Sequence, residues 1–594
     1  MRRRSALIAC LLAAAALVAR AQQKNIADLK TTPEATGYKS TSSYDDVVKF
    51  MKAVDEASPI IFYTSYGTTF EKREMPMAVV GTGLKDASPA AVKASGKLRV
   101  HIQANVHAGE VEGKESTLVL LREFAMGQHK DWLQSMVFLI TPIYNADGNE
   151  KFALNNRQRQ NGPINGMGTR ANAQDLNINR DYMKLDTPEA RAFVKLWNDY
   201  DPHIGFDLHT SDGSYHGYYL TYSPPLNPDT DPAIMKIMTD EWFPAVTKEI
   251  KAKHGWDTFY YGNAGTPGRG GGAGGGGGRG RGGREGAPPA APGAATPPAA
   301  APGNPPAGAP AGAPTGVPGT APGGFGRGGP ACQNVAPPEG VTREWRTFEH
   351  VPRFHNNYVG LRNRFGLLSE AYAYATFEDR IKATNYFVEA ALNFANQNAA
   401  KLKKAIADAD KAKVVGSALA TTSRMKRGGT VDILMGKVEP EKNPNNNADM
   451  CRRKDVVETE PMVDMMWFEP ATTETAPSAY YVPADATKAV ELMRAHGIQM
   501  RQAAPSGSLE WFAIDANTAA QNFEGHALRK LEGKWAPNAE MKPTGRWLEV
   551  RTDQPLSRLA FYLLEPTSDD GLVAWNYLDD QLKDAKTYPI ARKK

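Results

Sequence analysis

From Leu98 the chain alternates: Leu98, Val100, Ile102, Ala104 and Val106 are apolar, and Arg99, His101, Gln103 and Asn105 between them are polar. A period of two predicts a strand. From Lys114 to Met126 the spacing changes to that of a helix, with Leu118, Leu120, Leu121 and Phe124 on one side and Gly127 placed to end it. Met136 to Tyr144 reads as a second, buried strand closed by the turn sequence Asn145-Ala146-Asp147-Gly148. Pro188 to Tyr200 reads as a helix, His203 to Leu208 as a third strand and Phe365 to Ala371 as a fourth. Strands alternating with helices predict an α/β fold, a mixed sheet with helices on both faces.

From about 413 onward the pattern changes. Ala479-Tyr480-Tyr481-Val482 and Ile498-Gln499-Met500 flank a helical pattern from Ala486 to Ala495, and Trp547-Leu548-Glu549-Val550 is strand-like. The expectation is a smaller C-terminal α+β domain over 413–594. Trp467, Trp511, Trp535, Trp547 and Trp575 fall there at irregular spacing and are read as core.

The 594 residues are 41% hydrophobic and 23% charged, which excludes a wholly disordered or fibrous chain. The formal charge is +5. Arg2, Arg3, Arg4 and Arg20, and five arginines in a Gly/Pro/Ala tract at 264–331, account for more than this excess, so the remainder is net negative. No basic face for nucleic acid follows. The tract holds one Val, Val317, and one aromatic, Phe325, and is expected to be a disordered insertion, because it can bury too little apolar surface to offset ordering.

Arg2-Arg3-Arg4, an apolar run from Ala6 to Ala19 and Ala19-Arg20-Ala21 have the pattern of a signal peptide cut after Ala21, which implies a periplasmic or secreted protein with no membrane span after cleavage. Cys332 and Cys451 would remain, in a compartment that permits a disulfide. Cys332 adjoins the low-complexity tract and nothing in the spacing brings the two together, so the sequence leaves their pairing open.

The chemistry gathers at strand ends. His107-Ala108-Gly109-Glu110 follows the first strand directly, and His209 ends the third, at the edge where open α/β sheets bind ligands. Two histidines and a carboxylate make a zinc set with a position left for water. His101 and His203 each lie six residues upstream of these histidines, about 20 Å away along a strand. On the fourth strand Glu370 follows Leu367-Leu368-Ser369 and suits a general base beside that water, its apolar setting expected to raise its pKa. The competing reading of Glu370 is a buried ion pair with Arg362 or Arg364. There is no G-x-S-x-G and no H-E-x-x-H.

Tyr66-Gly67-Thr68-Thr69-Phe70-Glu71, His107-x-x-Glu110, Asn145-Ala146-Asp147-Gly148, Asn177-Ile178-Asn179-Arg180-Asp181-Tyr182, Asp207-Leu208-His209-Thr210 and Leu368-Ser369-Glu370 occur in an order that resembles zinc carboxypeptidases of the carboxypeptidase A/B superfamily, in an exported, bacterial-type member. The resemblance covers about 40–262 and 340–400, within a catalytic domain over 22–412. It implies that Zn2+ is bound by His107, Glu110 and His209 and that Glu370 activates water. It further implies that Arg159 polarises the scissile carbonyl, with Arg157 as a rival two residues away, and that Asn179 and Arg180 hold the substrate's terminal carboxylate. Tyr358 stands for the family's mobile tyrosine. Read without the family, the arginines are surface ion-pair partners and Asn179 a turn residue. The implied activity is hydrolysis of C-terminal peptide bonds on peptides or proteins. The alternatives are a related zinc amidohydrolase acting on peptidoglycan or acyl amino acid amides, and a non-catalytic binding protein, disfavoured because ligands and base are all present.

Overall fold

A computed structural model of the chain describes residues 26–211, 214–267, 332, 336–538 and 540–594. The expected signal peptide and nearly all of the expected insertion lie outside the described residues. Ten strands come from the first two thirds of the chain: β1 (Ile61–Thr68), β2 (Glu74–Val80), β3 (Leu98–Ala104), β4 (Met136–Thr141), β5 (Ile204–Thr210), β6 (Leu220–Ser223), β7 (Thr258–Tyr260), β8 (Asn263–Gly265), β9 (Glu344–Arg346) and β10 (Phe365–Ala371). Eight of them form one sheet in the order β1-β2-β4-β3-β5-β10-β6-β7. Its centre, β4-β3-β5-β10, is parallel, β1 and β2 run against their neighbours, and β6 runs against β10 but with β7, so the sheet is mixed as expected.

Alternation along the strands sorts side chains between two cores. Val100, Ile102, Phe138, Ile140 and Phe206 join the helices Tyr44–Ala57, Glu112–Ala125, Phe243–His254 and Phe377–Gln397 on one face. Val79, Val137 and Leu139 face the other way, onto helices Pro188–Tyr200 and His355–Leu361. Helix Pro188–Tyr200 starts where Thr187 accepts the Ala190 N–H ahead of a proline that suits the first turn. Thr187 is itself held by Asp181, which accepts its hydroxyl at 2.6 Å and its N–H at 2.8 Å, so the helix start and the segment carrying Arg180 are tied together.

The rest of the chain adds β11 (Ala418–Lys426), β12 (Thr430–Lys442), β13 (Asp449–Met465), β14 (Trp467–Thr475), β15 (Ala479–Pro483), β16 (Arg501–Gln502), β17 (Leu509–Phe523), β18 (His526–Pro537), β19 (Trp547–Arg551) and β20 (Ala591–Lys593). A six-stranded sheet, β16-β19-β15-β20-β17-β18, and helices Thr487–His496 and Ser557–Leu564 give this region an α+β character. Ile498-Gln499-Met500 is not a strand. Gly497 ends the preceding helix in the left-handed region (φ 84°) and the Ile498 N–H returns to Met493, so these residues finish a helix cap. Trp511, Trp547 and Trp575 are buried.

The expected boundary at 413 is no break in packing. Val490, Met493, Leu559 and Leu563 share one continuous core with Phe193 and Trp197. A four-stranded sheet, β12-β13-β9-β8, also pairs strands from both sides of it. The two cysteines whose pairing the sequence leaves open form a disulfide: Cys332 and Cys451, 5.3 Å apart at Cα and buried, pack against Tyr372 and Tyr374. Cys451, on β13, also donates its N–H to the Arg159 carbonyl. Pairing followed from the long β12–β13 hairpin, which carries Cys451 back to the sheet edge and has no counterpart in local spacing. Because a disulfide that closes so long a loop constrains the unfolded chain, Cys451→Ser should lower stability by about 2–5 kcal/mol in chemical denaturation under non-reducing conditions. Equal stability of wild type and variant would show that the link carries no such constraint.

Candidate metal centre and substrate cavity

The turn after β3 is built by its own residues. Asn105 sits in the left-handed region (φ 61°), its amide donates to the carbonyls of Ala108 and Glu110, and the Glu110 N–H closes on the His107 carbonyl at 2.8 Å. This reverses the chain and aims His107 and Glu110 at the C-terminal edge of the sheet. In β5, His209 lies in register with Glu370 of β10, so both side chains leave the sheet on the same face.

His107, Glu110 and His209 are buried and place one ligand atom each within 4.8 Å of one another. Glu110 bridges the rings, with Oε1 2.9 Å from His107 Nδ1 and Oε2 2.7 Å from His209 Nδ1. The far nitrogens have outer partners: His107 Nε2 meets Asn177 Oδ1 at 3.1 Å and His209 Nε2 meets Asp207 Oδ2 at 2.8 Å. Both partners are acceptors, so each holds an Nε2 proton and leaves Nδ1 to face the centre, the arrangement that orients histidine ligands. Burial pulls His107 down to about 3, with the Arg170 charge adding to it. His209 goes the other way. Burial opposes its charge, but Asp207 and Glu110 hold it well above the usual histidine range. Two carboxylates thus call for a positive charge between them, and the two-nitrogen, one-oxygen donor set fits a zinc ion.

His107 and Glu110 line a cavity together with Arg170, Asn179, Arg180, Tyr261, Phe348, Phe354, Leu368 and Glu370, among others, and His209 adjoins it through Glu110. Arg180 stacks on Phe354, 4.0 Å from the ring centroid, and one guanidinium nitrogen donates to the Asn179 carbonyl. Burial, with Arg170 next, lowers Arg180 to about 9, against the opposing charges of Glu349 and Glu524. Asn179 Oδ1 is buried with no hydrogen-bond partner among the described residues. Arg362 and Arg364, the rival partners of Glu370, are occupied elsewhere: Arg362 with Tyr358, His496 and Asn198, and Arg364 with Asp201 and Asp410.

Other expectations fall differently. Arg159 does not line the cavity, and Arg157, its rival, donates to Glu110 Oε1 at 2.9 Å. The arginine on the cavity wall is Arg170, whose Nη1 lies 3.2 Å from His107 Nδ1 and 3.7 Å from Glu110 Oε1. Gly109 and Gly168 let its loop lie on the His107 turn: a Cβ on Gly109 would stand 2.8 Å from the Gly168 carbonyl, and one on Gly168 2.8 Å from that of Ala108. Tyr358 is no mobile tyrosine. It is fully buried, with its hydroxyl bonded to His496 and Arg362. Asn177, Asp207 and Arg170 had no role in the sequence reading. Asp207 was within reach of it, since residue i−2 on a strand shares the face of His209; Arg170 lies in a loop, where no period points.

Residues 47–235, which include the three candidate ligands, Arg170 and Arg180, match the zinc carboxypeptidase family model. They are a zinc carboxypeptidase-family domain. Carboxypeptidase 2 of Trichophyton rubrum is 30% identical over 167 residues, and the probable carboxypeptidase 2 of Arthroderma benhamiae 34% identical over 119. These alignments span only 27% and 19% of the relatives' lengths, and the same shares of this chain. Among solved structures, a metallo-carboxypeptidase from Burkholderia cenocepacia aligns over 60% of this chain and 70% of its own, at 16% identity and a TM-score of 0.37. The eight-stranded sheet continues past the matched span through β10, which carries Glu370. With His107, Glu110 and His209 as the ligands, elemental analysis should find one zinc per chain, and His209→Ala should lose most of it. Full zinc occupancy in that variant would place the metal elsewhere.

Proposed function

We propose that this protein is an exported zinc carboxypeptidase that removes C-terminal residues from peptides. The observation that carries this reading is that one cavity is lined by His107, Glu110, Glu370, Arg170 and the Asn179–Arg180 pair, with His209 grouped with His107 and Glu110 at its edge. Zinc held by His107, Glu110 and His209 would lower the pKa of water toward about 7 and polarise a carbonyl. Glu370, in register beside His209, takes the proton from the attacking water and delivers it to the leaving amine. Arg170 is the cationic group beside the ligands, placed to meet the oxyanion, and takes the role the resemblance gave to Arg159. Arg180, a buried cation flattened on Phe354, offers a planar fork to a terminal carboxylate, and Asn179, whose side-chain amide can donate to it, lines the same cavity.

Each role has its own kinetic signature. Glu370→Gln should keep zinc and fold yet lose nearly all turnover, since the amide cannot accept the proton; near-normal turnover would remove Glu370 from the reaction. Arg170→Ala should lower kcat about 100- to 1,000-fold, the usual cost of a lost oxyanion donor, while Arg159→Ala stays close to wild type. The reverse order would restore Arg159 to that role. A free-acid peptide should be cleaved far faster than its C-terminal amide, and Arg180→Ala should erase the difference. Equal cleavage of both peptides by the wild type would reject a carboxypeptidase in favour of another amidohydrolase on the same scaffold.

A further inference from the structure

The proposed site draws on more than the family domain. β17 and β18 form a long hairpin whose two-residue turn, Glu524-Gly525, has both residues in the left-handed region (φ 48° and 85°). Such turns favour Asn or Asp followed by Gly, so a glutamate here is unusual and backbone preference does not account for it. Its carboxylate does have a partner. Glu524 Oε2 accepts the N–H of Asn177 at 3.0 Å, joining positions 347 residues apart.

Asn177 is the residue on which two parts of the site hang. Its Oδ1 faces His107 Nε2 at 3.1 Å and also accepts the Asn179 N–H at 3.1 Å, while its carbonyl accepts the Arg180 N–H at 2.9 Å. The short turn presenting Asn179 and Arg180 and the outer side of a metal ligand therefore share one anchor. The residues beside Glu524 brace the same region. His526 Nε2 pairs with Asp186 at 2.8 Å, and the Phe523 ring lies 5.1 Å from the guanidinium of Arg353, next to the Phe354 on which Arg180 stacks. The hairpin tip thus reaches residues next to the cavity lining on both sides of the insertion, at Asn177 and Asp186 and at Arg353.

We infer that the β17–β18 hairpin tip completes the substrate site, with Glu524 acting as a positioning residue that fixes Asn177 and, through it, the Asn179–Arg180 turn. The C-terminal region is in this reading a working part of the enzyme, and the inference rests on the carboxypeptidase reading only where activity is the readout. A carboxylate accepting a backbone N–H is a charge-assisted bond, and this one ties Asn177, at the start of the turn, to the hairpin tip.

The test compares Glu524→Ala with Glu524→Gln in the full-length zinc-loaded protein. Hydrogen exchange read on peptides spanning 177–186 should speed up in Glu524→Ala and return toward wild type in Glu524→Gln, whose amide oxygen can still accept the N–H. This readout stands whatever the enzyme cleaves. With a free-acid peptide substrate, Glu524→Ala should raise KM about tenfold, equivalent to about 1.4 kcal/mol, with a much smaller change in kcat and in zinc content. Its preference for free acid over amide should fall. Unchanged exchange over 177–186 in Glu524→Ala overturns the inference, as does equal damage by Ala and Gln. Faster exchange in an enzyme that shows no free-acid preference leaves the positioning role intact and counts against the carboxypeptidase reading alone.

Discussion

A carboxylate buried at the end of β3 is the constraint around which the site is arranged. Glu110 is 3% exposed, and a charge so far from water is tolerated only among donors and opposite charges. They come from four separate stretches of chain: His107 from its own turn, Arg157 and Arg170 from the following loops, and His209 with the Thr210 N–H from β5. Burial opposes its ionisation, yet His107 and Arg157 hold its carboxyl well below the ordinary range. The sheet order, with β3 beside β5 and β5 beside β10, brings these groups and Glu370 to one edge.

Support from outside the first ring of contacts keeps that arrangement in place. Asp207 is held by Gln103 as well as by His209, and Gln103 also donates to the Tyr182 hydroxyl. Arg380, buried with Glu112, donates to four backbone carbonyls, those of Asn161, Gly162, Ala373 and Ala375, and so joins the 157–163 loop to the end of β10. The β12–β13 hairpin covers the same loop, where Asn443 and Asn445 donate to the Ile164 carbonyl.

What the sequence disclosed follows from what has a period. β3, β5 and β10 were readable because alternation and buried apolar runs mark strands, and the ends of those strands gave His107, Glu110, His209 and Glu370. Helix Pro188–Tyr200 was readable because its cap, proline and spacing agree. Arg170, Asn177 and Glu524 were not, since each acts from a turn or loop whose position depends on contacts distant in sequence. Arg157 and Arg159 looked equivalent on paper, because two residues in an irregular loop carry no information about which one points inward. The C-terminal region appeared separate because its local texture differs, whereas its attachment is a matter of tertiary packing: Met493 and Leu563 lie in the core that covers Trp197.

One feature of the four-stranded sheet bears on how this chain can vary. Gly265 at the end of β8 and Glu344 at the start of β9 are direct antiparallel partners, and Cys332, in the stretch that joins them, is tied to Cys451, so this stretch is anchored to the fold at the two strands and at the disulfide. The entropy of closing such a loop rises only with the logarithm of its length, about 0.6 kcal/mol per doubling. The tract can therefore lengthen or shorten over generations with little consequence for the catalytic edge, and its repetitive composition is the kind that replication slippage produces.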